Sequence, residues 1–221
     1  MIRFLARCGG LAVAVFAPLA GARGAEAAGE QPAQPAKPWM ISEAGLPEGF
    51  PPAGPVDQVI VKQYPAYRLA RVEGDKGADG MFMVLFNHIK RNKIEMTAPV
   101  EMAWPDEAAG EPAAKPAAMA FLYGEPEWGE QGADPADGRV VVEDIPPMQV
   151  VSIAMRGAYD QKHFEQGHER LEAWLAEHPE WEPAGVPRTF NYNSPFVPNL
   201  VKVAEVQIPI RPRPTPAEAS R

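Results

Sequence analysis

The sequence predicts an α+β protein, a duplicated β-α-β-β unit forming a distorted antiparallel barrel or curved sheet with two helices packed outside it. Three observations predict this. Two segments, about 79–91 and 160–177, carry apolar residues at helical spacing. The segments around them are short apolar or alternating runs separated by Gly and Pro, as antiparallel strands are. The same order of elements also recurs: Gly74 to Met81 is seven residues, and so is Gly157 to Phe164. Thr97-Ala98-Pro99-Val100 then corresponds to Asn193-Ser194-Pro195-Phe196, with a longer helix-to-proline connection in the second half.

The chain opens with Arg3 and Arg7, followed by an apolar run from Gly9 to Ala22 that is too short to span a bilayer. Small-x-small cleavage sites follow at Ala22-Arg23-Gly24 and Ala25-Glu26-Ala27. Residues 1–24 are therefore expected to be a signal peptide, which places the mature protein in the periplasm or outside the cell with no membrane span. Cleavage removes Cys8, the one cysteine, and with it any disulfide, thiolate ligand or cysteine nucleophile. The chain carries a net charge of −8, and losing Arg3, Arg7 and Arg23 makes it more acidic. That charge and the lack of a basic cluster argue against a nucleic-acid partner.

Residues 25–55 read as a Pro-rich tether that becomes a surface segment. Trp39, Met40, Ile41, Leu46 and Phe50 are too apolar for free linker and are expected to cover something. The domain spans 56–211, and 212–221 is a Pro-rich, disordered tail. Val56–Val72 is extended and bent at Pro65. Asp79 is a candidate N-cap for the first helix.

In that helix Phe82, Leu85, Phe86 and Ile89 form a core-facing stripe. Met81, Val84 and His88 form a second stripe about 120° away, which calls for a second partner: the 39–50 segment, another chain or a ligand. Residues 94–102 alternate as a strand, with Pro99 suited to an edge or bulge. Loops at 105–116 and 125–138 flank a strand at 117–123. Strands follow at 139–144 and 149–156. In the second helix Phe164, Leu171, Trp174 and Leu175 form one face, with His168 at its edge. After a loop at 181–187 come strands at 189–193 and 203–211.

The run Lys93-Ile94-Glu95-Met96-Thr97-Ala98-Pro99-Val100 closely resembles the signature of the SOUL haem-binding family. Tyr192-Asn193-Ser194-Pro195-Phe196, followed by Glu205-Val206-Gln207-Ile208-Pro209-Ile210, resembles that family's terminal strand pair. The resemblance covers roughly 56–211. It departs after Ile89, where many members carry a longer Gly-Asn turn.

The resemblance implies haem or another tetrapyrrole as ligand, in an apolar groove between the first helix and the loop joining the last two strands. Carried onto this chain, the walls are Met81, Val84, Leu85 and His88 on the helix and Phe196, Val197 and Leu200 in the loop. His88 is the candidate iron ligand. Lys90, Arg91, Lys93, Arg68 and Arg71 are candidate partners for propionates.

The implied fold is also similar to effector-binding domains of bacterial regulators. That keeps a small-molecule or protein-partner module as an alternative. An enzyme of tetrapyrrole breakdown or hydrolysis is a third reading. The sequence holds no Gly-x-Ser-x-Gly, phosphate loop or His-Glu-x-x-His, so a non-enzymatic role is favoured. Glu95 and Glu101, about 20 Å apart on an extended strand, are too distant to cooperate and are expected on the solvent face.

Overall fold

The computed structural model describes residues 38–74, 77–104 and 115–214, all within the unit Pro35–Arg221. The expected signal peptide, most of the expected tether, most of the 105–116 loop and most of the expected tail lie outside the described residues.

In chain order the elements are β1 (Val59–Tyr64), β2 (Tyr67–Glu73), α1 (Gly77–Asn92), β3 (Val100–Ala103), β4 (Ala118–Leu122), β5 (Gly132–Asp134) and β6 (Asp137–Ile145). Then come β7 (Met148–Arg156), α2 (Gln161–Glu177), β8 (Trp181–Pro183), β9 (Arg188–Asn191) and β10 (Val203–Pro212). Helix α2 begins where a cap is available, because the Asp160 side chain accepts from the His163 N–H at 3.0 Å. Helix α1 begins two residues before the predicted cap, so Asp79 sits in its first turn, where a carboxylate still suits the helix dipole.

The strands form one antiparallel sheet in the order β1-β7-β10-β9-β3-β4-β2-β6-β5, with β8 pairing beside β10. Strands β1 and β5 are its ends and do not pair with each other, so the sheet is open and the barrel alternative is corrected to the curved-sheet one.

The duplication is visible in this order. Strands β7-β10-β9 mirror β2-β4-β3 about the β9–β3 seam, where Glu101 faces Phe190. The strand preceding each unit crosses to the other half: β1 pairs with β7, and β6 with β2. Gly74 and Gly157 each close a unit's first strand with nearly the same backbone, φ 140° and 144°, in the region that favours glycine. The proline correspondence does not hold. Pro99 precedes β3, whereas Pro195 follows β9, because the second unit places β8 and β9 between its helix and its proline.

Side chains alternate across the sheet, as the pleat requires. Tyr67 and Leu69 of β2, with Ala120 and Leu122 of β4, face an inner core that holds Tyr64, Phe190 and Tyr192. Ala70, Val72, Met119 and Phe121 face outward beneath α1. Val151, Ile153, Val206 and Ile208 do the same beneath α2.

The inner face is covered by the segment 39–55. Phe50 is buried against the rings of Tyr64, Tyr67 and Phe190, with centroids 5.0, 5.1 and 6.4 Å away. A large apolar side chain buried this fully contributes roughly 1.5–3 kcal/mol, which anchors the segment.

The signature run is not a strand along its length. Ile94 and Met96 pack back under α1, and the Ile94 N–H bonds to the Ile89 carbonyl at 2.9 Å. The Ala98 N–H goes to Gly45, and the Thr97 hydroxyl donates to the Leu122 carbonyl. Their polar groups are thus spent outside the ladder, and β3 begins only at Val100. Two short strands, β5 and β8, occupy segments predicted as loops.

Candidate functional site

The predicted groove does not form. Helix α1 buries Met81, Val84, Leu85, His88 and Ile89, while Phe86 is 37 % exposed. Met81, Val84, Leu85 and His88 are themselves spaced i, i+3, i+4 and i+7, so the stripe assigned to a ligand is the one the sheet takes. Met81, Val84 and Leu85 pack with Val140, Val142 and Tyr123, and neither Phe196, Val197 nor Leu200 joins that cluster. In the loop Val197 is buried, whereas Phe196 and Leu200 are 94 % and 84 % exposed. No described contact brings the two walls together.

His88 is committed elsewhere. Its Nδ1 lies 2.6 Å from Asp134 Oδ2 and its Nε2 lies 2.8 Å from the Tyr123 hydroxyl, so both ring nitrogens already have partners. The imidazole is buried with the Asp134 carboxylate beside it. Burial favours the neutral form of Asp134. Hydrogen bonds from His88, the Ala136 N–H and Arg91 outweigh that and hold its pKa near about 2. Burial pushes the Tyr123 hydroxyl up to about 12. This is a satisfied core histidine, and iron coordination through it requires breaking one of these bonds. Three of the expected propionate partners are likewise occupied: Arg68 by Asp144, Arg71 by Glu143 and Glu101, and Arg91 by Asp134.

The inner face holds a second polar cluster that the sequence did not reveal. Glu205 is fully buried and accepts from Lys62 Nζ at 2.8 Å, the Gly54 N–H at 2.6 Å, the Tyr192 hydroxyl at 2.8 Å and Gln207 Nε2 at 3.1 Å. Lys62 also donates to the Pro52 carbonyl. Burial lowers the Lys62 pKa, against the pull of Glu205, and burial raises the Tyr64 and Tyr192 hydroxyls well above their usual range.

Glu101, expected on the solvent face, is instead buried and receives Arg188 Nη1 at 2.9 Å. Its partner is 87 residues away on the neighbouring strand, out of reach of any local pattern. Lys62 with Glu205 and Arg188 with Glu101 form buried pairs, and the first of them ties the 39–55 segment to the sheet through Pro52 and Gly54. The space left beneath that segment is about 230 Å³, lined by Met40, Leu46, Ala98 and Tyr192 among others.

The signature residues serve the same construction. Tyr192 reaches Glu205, Asn193 donates to the Ile41 carbonyl and accepts from the Val203 N–H, and Ser194 donates twice to Glu43.

A larger opening lies on the helix side. Gly167 lets α2 touch β10, since a Cβ there would meet Val206 Cγ2 at 2.4 Å. Beyond that contact the helix and sheet part. A cleft of about 370 Å³ opens between His168, Glu172, Leu175 and Ala176 of α2 and Trp181, Pro183, Gly185, Pro187, Ile208 and Arg213 opposite. Its far wall is the connection containing β8, which the first unit lacks. The volume falls within the usual ligand-pocket range of about 300–1,000 Å³.

The sequence model of the SOUL heme-binding protein family matches residues 55–209. The fold and both signature patches agree with it, and the chain belongs to the SOUL haem-binding family. Haem is the cofactor that this membership assigns.

No curated protein matches this sequence. Among solved structures the chain is similar to the C-terminal domain of EcmrR, with TM-score 0.52 and 16% identity over 71% of this chain and 98% of that one. It is also similar to EcmrR in a DNA complex, with TM-score 0.53 and 13% identity over 71% of this chain, where it spans 58% of that chain's length. A protein from Listeria innocua described as a hydrolase matches with TM-score 0.51 and 12% identity, over 72% of this chain and 94% of that one. At such identities these similarities concern the fold alone.

The α2 cleft and the α1 face differ in which side chains they leave free. The cleft supplies apolar walls, an imidazole with no hydrogen-bond partner among the described residues, and an arginine. At α1 the imidazole and the arginines are already bound.

Proposed function

We propose that this chain is a non-enzymatic haem carrier or scavenger that works after export from the cytoplasm, holding one haem in the cleft beside α2. The observation that carries the reading is the cleft itself. Leu175, Ala176, Trp181 and Ile208 give a flat ring apolar contact, and Arg213 stands where a propionate needs a cation. Export rests on the basic and apolar N-terminal pattern of residues 1–24. Among the described residues no helix is long and apolar enough to cross a membrane.

Hemin titration followed at the Soret band tests this reading. One haem per chain, with binding weakened by Leu175→Glu, is expected. Unsaturable binding that Leu175→Glu leaves unchanged sinks it.

A second reading, a protein-interaction module, is favoured by one observation. Trp39, Phe196 and Leu200 are all exposed, Trp39 at 69 %. Arg156 joins the two segments by donating to the Trp39 and Val201 carbonyls. Exposed apolar side chains grouped in this way mark interaction surfaces. The small-molecule module reading has less support at the inner face, where Lys62 already neutralises Glu205 and Phe50 fills the aromatic cage.

A further inference from the structure

We infer that the hollow beneath the first turn of α2 is a binding site for an ordered water, held between the Asn191 side-chain amide and the Thr189 hydroxyl. The site stands apart from the haem reading above. Its floor is the outward face of β9 and β10, with Thr189, Asn191 and Val206, and its walls are Trp104, His163 and Phe164.

Asn191 carries the argument. It is 4 % exposed, and among the described residues neither its Oδ1 nor its Nδ2 has a hydrogen-bond partner. A buried amide left in that state is costly, and native proteins meet such groups with a protein partner or with ordered water. No described protein group serves it, so the partner is solvent. The cavity beside it is about 10 Å³, a size that admits one water and excludes an organic ligand.

Thr189 supplies a second contact. It lies two residues earlier on the same strand, and so on the same face. Its Oγ1 accepts from Trp104 Nε1 at 3.3 Å, which leaves the hydroxyl hydrogen to donate into the hollow. Water both donates and accepts, so it serves whichever end of the amide turns towards it. The apolar side is firm, since Trp104 and Phe164 stack with centroids 4.6 Å apart.

The repeat shows that this polarity is particular to the second unit. Counting from Gly74 and Gly157, Val72 corresponds to Met155. Val72 pairs with Met119, and Met119 with Met102; Met155 pairs with Ala204, and Ala204 with Asn191. Asn191 therefore stands where the first unit has Met102, which packs in the apolar cluster under α1. By the same count Thr189 stands where the first unit has Val100. The two glycines differ to match. A Cβ at Gly74 would meet nothing within 4 Å, whereas one at Gly157 would collide with the His163 ring. Asp160 Oδ1 lies 2.8 Å from His163 Nδ1 and keeps that ring against Gly157, where both line the hollow.

The test is a high-resolution crystal structure of the full chain and of Asn191→Leu, with thermal unfolding of both in solution. The wild type should show water density at hydrogen-bonding distance from the Asn191 amide and from Thr189 Oγ1, and Asn191→Leu should lose it. Because the amide is already served by water, Asn191→Leu should leave the melting temperature unchanged or lower it. A wild-type hollow without water density, or an amide turned to a protein partner, overturns the inference. A melting temperature several degrees higher in Asn191→Leu also overturns it, because relief of that size means that the amide was unpaired. None of these outcomes involves hemin, so failure here leaves the haem reading untouched, and failure of the hemin titration leaves the water site standing.

Discussion

The two halves of this protein set the same helix on the same kind of sheet and treat its histidine in opposite ways. In the first, α1 lies flat on β2, β4 and β6, and His88 is clamped between Asp134 and Tyr123. In the second, α2 touches β10 closely at Gly167 and then parts from it, and His168 faces a cleft. The connections after the helices make the difference. Residues 93–99 fold straight back under α1, whereas 178–187 travel outward to add β8 at the edge of the sheet. A duplicated unit can thus keep one copy for stability and open the other for a ligand, by changing a loop and leaving the strands alone.

The largest effect expected from this comparison is in the closed half. Asp134→Ala removes the carboxylate that His88 and Arg91 share and leaves the buried His88 imidazole without its Nδ1 partner. Leaving a buried hydrogen-bonding group without its partner costs about 1–3 kcal/mol, and the half-exposed Arg91 adds to that. Urea unfolding should show a loss of that order. A loss below about 1 kcal/mol would mean that the clamp is an ordinary surface pair.

Next is Gly167→Ala. The added Cβ would strike Val206 at 2.4 Å and Met155 Sδ at 3.0 Å, so α2 must shift outward. Overpacking of this kind costs about 1–3 kcal/mol. Because the contact sets how the helix meets the sheet, hemin affinity should change along with stability. Unchanged affinity at reduced stability would separate the cleft from the helix contact.

Acid should also act on the closed half first. The Asp134 pKa is lowered on folding to about 2, from an unfolded value near about 3.9. A depressed carboxylate contributes stability that is fully present above its unfolded pKa and is lost as pH falls through its folded one. Stability should therefore fall from about pH 4 towards pH 2, and Asp134→Asn should flatten that slope. An identical slope in the variant would assign the acid sensitivity to other carboxylates.

How much of this was readable in the sequence depended on distance along the chain. The helices, the longer strands and the order of the repeat come from local periodicity and spacing, and the family signatures stand at fixed positions. Which stripe of α1 faces inward was misread because Leu85 completes either row of apolar residues; the choice is made by Tyr123 and Asp134, 35 and 46 residues beyond His88. Asp134 lay in a segment rich in Gly and Pro and carried no signal of its own. Lys62 is the polar member of the run Val59-Ile60-Val61-Lys62, yet it points inward and Val61 outward, because Glu205 lies 143 residues further on. His168 was read as the edge of a core face. That it borders a cleft follows from β8, a strand of only three residues that no periodicity could reveal.

The smallest effect should come from the open half, and it is the sharpest test of the comparison. His168 has no hydrogen-bond partner among the described residues, and its one nearby charge, Glu172, is 4.0 Å away and largely exposed. His168→Ala should therefore cost the apoprotein little beyond the stacking on Phe164, about 0.5–1.5 kcal/mol at most. Removing His88 instead leaves Asp134 and Tyr123 without their shared partner. If the imidazole of α2 serves a ligand and that of α1 serves the fold, His88→Ala should lower the melting temperature by several degrees more than His168→Ala in the apoprotein. Adding hemin should then raise the melting temperature of the His88→Ala protein. Equal losses of stability in the two apoproteins would mean that both histidines are structural and that the halves differ only in shape.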